Sequence, residues 1–368
     1  MKAIITGGGT GGHIYPALAI ARALKEKGWD ILYIGSKGGL EGRIVPDEGF
    51  SYQEVEVLPL PRKLNIVLFK AILLTCRGFF QARGLIKEYK PDIILGTGGF
   101  VAGPVVLAGS LGNIPTIIHE QNVYPGFTNR LLSYSVEQIA LNFADAERYF
   151  SKKVKNKLVV TGNPIRRIIT ETDREKGLKA FKLNKNKKTI FVFGGSQGSA
   201  SINQAMFEIY YKLRNNDWQI IHITGEKNYQ DIINELNGRG LNPVENKNIR
   251  IMPYLKEIEL AYAAADLIVY RAGATGLAEI TACGIPAILV PYPYAAGNHQ
   301  EYNARSLADH GAAIVIADDK LTGELLFRRI SELINDKLKL LKMSRNSKKL
   351  AQLQATEKLI KAIEDLVG

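Results

Sequence analysis

The stretch Tyr270–Tyr294, YRAGATGLAEITACGIPAILVPYPY, decides the fold. Before it, ADLIVY (Ala265–Tyr270) is a short apolar run with β-branched residues, the pattern of a buried strand. Arg271–Gly276 is a turn of small residues. Leu277–Cys283 fits one or two helical turns, stopped by Gly284 and followed by Ile285-Pro286. Strand, glycine turn and helix in that order put backbone N–H groups and a positive helix end at the carboxyl edge of a parallel sheet. A phosphate is held at such a place. Glu279 is predicted just inside the helix, where a carboxylate is favoured. There it can accept hydrogen bonds from a ribose diol; the competing reading is a first-turn acid without a ligand.

The same cadence occurs elsewhere. Lys2–Thr6 is a strand that runs into Gly7-Gly-Gly-Thr-Gly-Gly-His13 and an amphipathic helix from Ile14. Pro91–Phe100 is strand then glycine turn, followed by a helix of small residues and Ile114-Pro-Thr-Ile-Ile-His119. Thr189–Gly198 restarts the pattern of the N-terminus, and Ala265–Val290 repeats the cadence of Pro91–Ile118. The order of parts therefore occurs twice. It argues for an α/β protein of two Rossmann-like, doubly wound parallel-sheet domains facing a cleft. The expected division is 1–162, joined by a returning C-terminal helix at about 345–368, and 163–344. The charged stretch 170–188 reads as boundary sequence.

Composition narrows the class. The chain has 368 residues, 46% hydrophobic and 23% charged, enough for two domains with their own cores. No signal segment precedes the first strand, so a cytoplasmic protein is expected. Cys76 and Cys283 show neither metal spacing nor a disulfide framework. The net charge of +12 suits nucleic acid, an anionic membrane or a phosphorylated substrate. No zinc-finger or RNP-type pattern accompanies it, so nucleic acid is not an expected partner.

The N-terminal glycine turn lacks a Walker lysine. Asp30 stands at the start of the second strand rather than its end, so the ribose acid of a nicotinamide site is missing. His13 follows the turn at a helix N-terminus. The positive helix end disfavours a second proton, and a neutral imidazole there fits a general base; it equally fits a capping or packing role. Glu120 and Asn122 lie in a polar, turn-rich segment directly after a strand, and are candidates for ligand contact. His119 reads as a satisfied histidine at a strand end. Gln300 and Glu301 open a helix and fit either sugar hydroxyls or a favourable first turn. Leu64–Leu74, LNIVLFKAILL, is too apolar for one face of a surface helix and too short to span a bilayer. Arg62, Lys63, Lys70, Arg77, Arg83 and Lys87 surround it, and Phe79 and Phe80 follow. An exposed second stripe ringed by cations suits an anionic membrane surface; the competing reading is a wholly buried helix.

Taken together, GGGTGGHIYPALAIA (7–21), GTGGFVAGP (96–104), HEQNVYPGFTNR (119–130), GNPIR (162–166), FGGSQGSASIN (193–203) and RAGATGLAEITACGIPAILVPYP (271–293) with GNHQEYNA (297–304) resemble the MurG family. These are bacterial peptidoglycan glycosyltransferases with the two-domain GT-B fold. The resemblance runs nearly end to end; the stretch near 64–80 matches less sharply. It implies an inverting, metal-independent enzyme with no cofactor. Such an enzyme moves N-acetylglucosamine from UDP-N-acetylglucosamine to the 4-hydroxyl of undecaprenyl-diphosphate-linked N-acetylmuramoyl-pentapeptide. The resemblance places UDP-N-acetylglucosamine mainly on the C-terminal domain. Glu279 would hold the ribose; Arg166, Ser196 and Ala274, Thr275 and Gly276 would surround the diphosphate and uridine. Leu255 would lie near the uracil, and Gln300 and Glu301 would read sugar hydroxyls. Thr10, Gly11, Gly12 and Asn122 would close the site from the N-terminal domain. His13 is the first choice for the base and Glu120 the second. Leu64, Ile66, Phe69, Lys70, Leu73, Arg77 and Phe80 would meet the cytoplasmic face of the membrane, and other cell-wall enzymes are further partners. Competing readings are a same-fold enzyme for another lipid acceptor, a non-catalytic scaffold, and a nicotinamide dehydrogenase.

Overall fold

A computed structural model describes residues 1–59, 66–195, 197–213, 217–242 and 246–368. The chain divides into two compact units, Met1–Ile165 with Gln352–Gly368, and Arg166–Ala351. In the first unit the strands are β1 (Lys2–Thr6), β2 (Asp30–Ser36), β3 (Ser51–Val55), β4 (Ile93–Gly96), β5 (Thr116–Glu120), β6 (Gln138–Leu141) and β7 (Leu158–Val160). Helices α1 (Gly11–Glu26), α2 (Glu41–Asp47), α3 (Ile66–Tyr89), α4 (Ala102–Leu111) and α5 (Phe127–Leu132) connect them. The second unit opens with α6 (Ile168–Glu171) and α7 (Arg174–Ala180). It continues with β8 (Lys188–Phe193), α8 (Ala200–Lys212), β9 (Trp218–Ile223), α9 (Glu226–Gly238), β10 (Ile249–Met252) and α10 (Ile258–Ala264). It ends with β11 (Leu267–Tyr270), α11 (Ala274–Cys283), β12 (Ala287–Leu289), α12 (His299–Asp309), β13 (Ala313–Val315), α13 (Gly323–Ile334) and α14 (Lys337–Leu350). The last helix, α15 (Ala355–Val367), belongs to the first unit.

Both sheets are parallel. Their orders are β3-β2-β1-β4-β5-β6-β7 and β10-β9-β8-β11-β12-β13. Strand order reverses between β1 and β4 in one sheet and between β8 and β11 in the other, the position where doubly wound sheets bind ligands. Helices cover both faces, so the central strands are apolar throughout: Ile4, Ile5, Ile94 and Ile118 are wholly buried, as are Ile190, Val192, Ile268 and Ile288. Leu359, Ile360 and Ile363 of α15 pack into the core with Ile5, Leu18 and Leu95.

The boundaries differ from the sequence reading in two places. The charged stretch 170–188 is not a linker: it forms α7, whose Gly177 lies so close to α10 that a Cβ would stand 2.4 Å from the Leu260 carbonyl oxygen. The return begins after α14 rather than near 345, because α14 packs on α11 through Ser344 and Ser347, which donate to the Gly284 and Ile285 carbonyls.

Helix α3 is not a wholly buried helix. Only Ala71, Gly78, Ala82 and Ile86 are buried. Ile66 is 86% exposed, Phe69 65%, Leu73 56% and Phe80 67%, and Lys70 and Arg77 stand in water beside them. Arg77 also pairs with Glu56 at 2.9 Å. Leu64, Arg62 and Lys63 lie outside the described residues. No described helix is long and apolar enough to cross a membrane.

Candidate active site

In the first unit the turns after β1 and β4 interlock. Gly8 N–H donates to the Gly98 carbonyl at 3.3 Å, and Thr97 Oγ1 donates to the His13 carbonyl at 2.9 Å. A Cβ on Gly99 (φ +81°) would stand 2.4 Å from the Gly8 carbonyl oxygen, so the approach excludes a side chain. Beneath the first turn, the buried Glu41 carboxylate accepts from Gly9 N at 3.1 Å, Ser36 N at 2.9 Å and Ser36 Oγ at 2.6 Å. An acid inside the fold thus braces a loop that carries no charge of its own. Thr10 caps α1 in extended conformation, and Thr10 and Gly12 are exposed at its N-terminus, with Gly11 half-buried.

His13 sits in the first turn of α1, half-buried. Its Nδ1 lies 3.0 Å from the Thr97 carbonyl and 3.1 Å from Gln121 Oε1. Gln121 Nε2 in turn reaches the Thr97 carbonyl at 2.6 Å and His119 Nδ1 at 3.0 Å. His119 is buried, with Nε2 2.9 Å from the Gly162 carbonyl. Burial lowers its pKa to about 4; the Gly162 carbonyl opposes that shift and His13 adds to it.

Glu120 is 1% exposed. Its carboxylate accepts from Asn122 N at 2.9 Å, Asn122 Nδ2 at 3.2 Å, Gly126 N at 3.0 Å and Asn129 Nδ2 at 2.8 Å. Four donors on two oxygens make it the organiser of the loop 120–129. These contacts give the Glu120 carboxylate a structural task in the loop, beside the sequence reading of it as the alternative base. Asn122 accordingly bonds first to Glu120.

In the second unit, the turn after β11 leads through Gly273, in extended conformation, into α11, which Gly284 (φ +65°) ends. Ala274, Thr275 and Gly276 form its first turn, where backbone N–H groups point out of the helix. A Cβ on Gly276 would stand 2.5 Å from Tyr270 Oη, so only glycine fits. Because the helix starts at Ala274, Glu279 lies in its second turn and has no acidic neighbour in the first. The sequence reading of Glu279 as a first-turn acid is therefore corrected: what acts on it is burial rather than the helix end. Glu279 accepts from Tyr262 Oη at 2.8 Å. Burial raises its pKa to about 7, against the hydrogen bond from Tyr262 and the charge of Arg166, and with the help of Glu259. Arg166 pairs with Glu259 at 3.2 Å and keeps a partly exposed guanidinium.

Leu255 is half-buried in the loop between β10 and α10. Gln300 Oε1 accepts from Tyr292 N at 2.9 Å and so holds the loop ahead of α12, leaving its amide N–H groups as donors. Glu301 pairs with Arg305 at 2.7 Å. Asn303 Nδ2 donates to the Ala272 carbonyl at 3.1 Å, tying α12 to the turn after β11. Ser196 lies outside the described residues. The glycine turn after β8 packs against the end of β9: a Cβ on Gly198 would stand 2.0 Å from the Thr224 carbonyl oxygen.

Gln121, Gly98, Glu41 and Tyr262 were not singled out from sequence. Gln121 has a local signal, since it stands in the polar segment after β5. Tyr262 and Glu41 have none: Tyr262 acts on Glu279, 17 residues on, and Glu41 reaches Gly9, 32 residues back.

Two parallel α/β sheets with glycine turns at their reversal points are the architecture of the GT-B fold. The chain belongs to glycosyltransferase family 28: the N-terminal domain of that family matches residues 3–141 and the C-terminal domain residues 189–363. Its relatives include the UDP-N-acetylglucosamine–N-acetylmuramyl-(pentapeptide) pyrophosphoryl-undecaprenol N-acetylglucosamine transferase of Halothermothrix orenii, 58% identical over 366 residues and 99% of each chain. The same-named protein of Desulforamulus reducens is 47% identical over 370 residues, covering 100% of this chain and 99% of that one. Among solved structures, MurG of Acinetobacter baumannii is similar with a TM-score of 0.78 and 28% identity, over 99% of both chains.

Proposed function

We infer that this chain transfers N-acetylglucosamine from UDP-N-acetylglucosamine to the 4-hydroxyl of undecaprenyl-diphosphate-linked N-acetylmuramoyl-pentapeptide, making the lipid-linked disaccharide of peptidoglycan. The observation that carries this reading is the 58% identity, from end to end, to a transferase of that name. The second unit holds the donor. The first turn of α11 and Arg166 take the diphosphate, Glu279 the ribose diol and Gln300 sugar hydroxyls. The first unit brings the acceptor to His13.

The chemistry follows. The acceptor 4-hydroxyl gives its proton to His13, and its oxygen forms a bond to the anomeric carbon. The bond from that carbon to the UDP oxygen breaks on the opposite side, so configuration inverts and UDP leaves with the electron pair. Its growing charge meets donors already in place, the Arg166 guanidinium and the backbone N–H groups of α11, which need little reorganisation at the moment of transfer. Nothing in this step requires a covalent enzyme intermediate.

The exposed apolar face of α3 with Lys70 and Arg77 fits peripheral attachment to an anionic membrane, the surface in which the acceptor's isoprenoid chain would be embedded. The deciding experiment supplies radiolabelled UDP-N-acetylglucosamine with either lipid-linked muramoyl-pentapeptide or diacylglycerol. Label in the first acceptor alone is expected; label in diacylglycerol alone would assign a different acceptor.

A further inference from the structure

We propose that Gln121 is the positioning residue that keeps the proton of His13 on Nδ1 and so presents the Nε2 lone pair to the acceptor hydroxyl. This rests on His13 being the base, but the tautomer is a property of the protein alone and can be read without any reaction.

The argument begins at the end of the chain of bonds. A carbonyl oxygen only accepts, so His119 Nε2, 2.9 Å from the Gly162 carbonyl, carries a hydrogen. His119 is buried and its pKa is lowered to about 4, so near neutrality it holds one proton and Nδ1 is an acceptor. The Gln121 amide group 3.0 Å away must then point its nitrogen toward His119. Two further contacts demand the same orientation: that nitrogen also faces the Thr97 carbonyl at 2.6 Å and the His119 carbonyl at 3.3 Å. Turning the amide over would set an oxygen against two carbonyl oxygens and an imidazole lone pair. The orientation is therefore fixed by three contacts, one to Thr97 and two to His119.

With the nitrogen committed, Gln121 Oε1 faces His13 Nδ1 at 3.1 Å, and the Thr97 carbonyl faces it at 3.0 Å. Both are acceptors. His13 Nδ1 must be the donor, and in the neutral ring the lone pair falls on Nε2. The opposite tautomer would leave two acceptors facing a third and would turn an N–H toward the hydroxyl to be deprotonated. One arrangement of hydrogens thus satisfies the series Gly162, His119, Gln121, His13 from end to end. Gln121 is the member that converts a buried, inert histidine into a directional constraint on the reactive one. Its backbone is held too: the Gln121 carbonyl accepts from Asn142 Nδ2 at 2.8 Å. The side chain is 2% exposed, so water does not compete for these bonds.

The test combines nitrogen-15 spectra of the histidine-labelled full-length chain at about pH 7 with steady-state kinetics. The chain has five histidines, and loss of one signal set in His13→Ala identifies the relevant ring. In the unaltered protein Nδ1 of His13 is expected to be protonated and Nε2 unprotonated. Gln121→Met removes both amide functions at similar length. With the Thr97 carbonyl left as the one described acceptor at Nδ1, the Nε2-protonated tautomer should become detectable beside the other and kcat should fall by about tenfold or more, with the KM for UDP-N-acetylglucosamine within about twofold. A protonated Nε2 in the unaltered protein would overturn the proposal, as would a Gln121→Met enzyme with unchanged spectrum and kcat. Near-normal turnover of His13→Ala is a different failure: it removes the base assignment and leaves the tautomer result standing.

Discussion

Single atoms decide the site's geometry. Gly98 has φ +105°, and a Cβ there would stand 2.8 Å from His13 Nδ1. Alanine would suffer both the positive φ and a clash with the ring that has to be aimed. Gly98→Ala is expected to lower kcat by about tenfold or more while UDP-N-acetylglucosamine binding, proposed for the other unit, holds; calorimetric titration and initial rates check the split. Glu279 makes a second prediction at this scale. Burial lifts its carboxyl to about pH 7. In the ribose-binding role proposed for it, a carboxylate accepts from both hydroxyls, whereas a protonated acid accepts less, so donor affinity should rise as pH rises through about 7. The stability sign is opposite. A raised acid pKa means that the folded state prefers the proton, so this group supports the fold fully below about pH 4.5 and loses that support as pH rises through about 7. Glu279→Gln should therefore melt higher than the unaltered protein at about pH 8 and yet bind the donor more weakly. Equal melting temperatures there would show that the carboxylate carries no such cost.

At the level of elements, the twice-repeated strand, glycine turn and helix were legible because parallel strands buried on both faces are continuous apolar runs. The turns were legible because close backbone approach leaves glycine as the residue that fits. Helix starts were less so. Small residues such as Ala274 and Thr275 serve a turn or a first helical turn equally well, and Glu279 was placed one turn too early for that reason. The charged stretch 170–188 misled because a short helix that packs through Gly177 and Leu178 needs few apolar residues. The apolar excess of α3 was legible as composition, and exposure of Phe69 and Leu73 gives it a face. Phe69→Glu with Leu73→Glu replaces side chains that bury little in the fold. It should leave the thermal melt within a few degrees while abolishing sedimentation with anionic phospholipid vesicles. Vesicle binding at the original level would move the contact to another surface.

Across the whole molecule, the least legible features join residues distant in sequence: His13 with Gln121, at a separation of 108, and α15 with the core of the first unit. Periodicity reports local structure, and neither contact has a local pattern. Each unit also buries one neutral histidine, His119 in the first and His222 in the second. His222 lies between Tyr210 Oη and Asn203 Oδ1, and Asn203 Nδ2 donates to the Thr224 carbonyl, so the network holds α8 to the end of β9. Burial lowers the two pKa values to about 4 and about 3, from 6.5 in an open chain. Below pH 6.5 the unfolded chain takes up protons that the folded chain refuses. Their contribution is thus complete above that pH and is lost as pH falls toward about 4 for the first unit and about 3 for the second. At about pH 5 the unfolding of the full chain should take up about two protons more than that of the double variant His119→Gln with His222→Gln. Calorimetry in buffers of different ionisation enthalpy counts them. An equal count in both proteins would mean that these rings are already charged in the fold, and a count lower by one would assign the effect to a single unit.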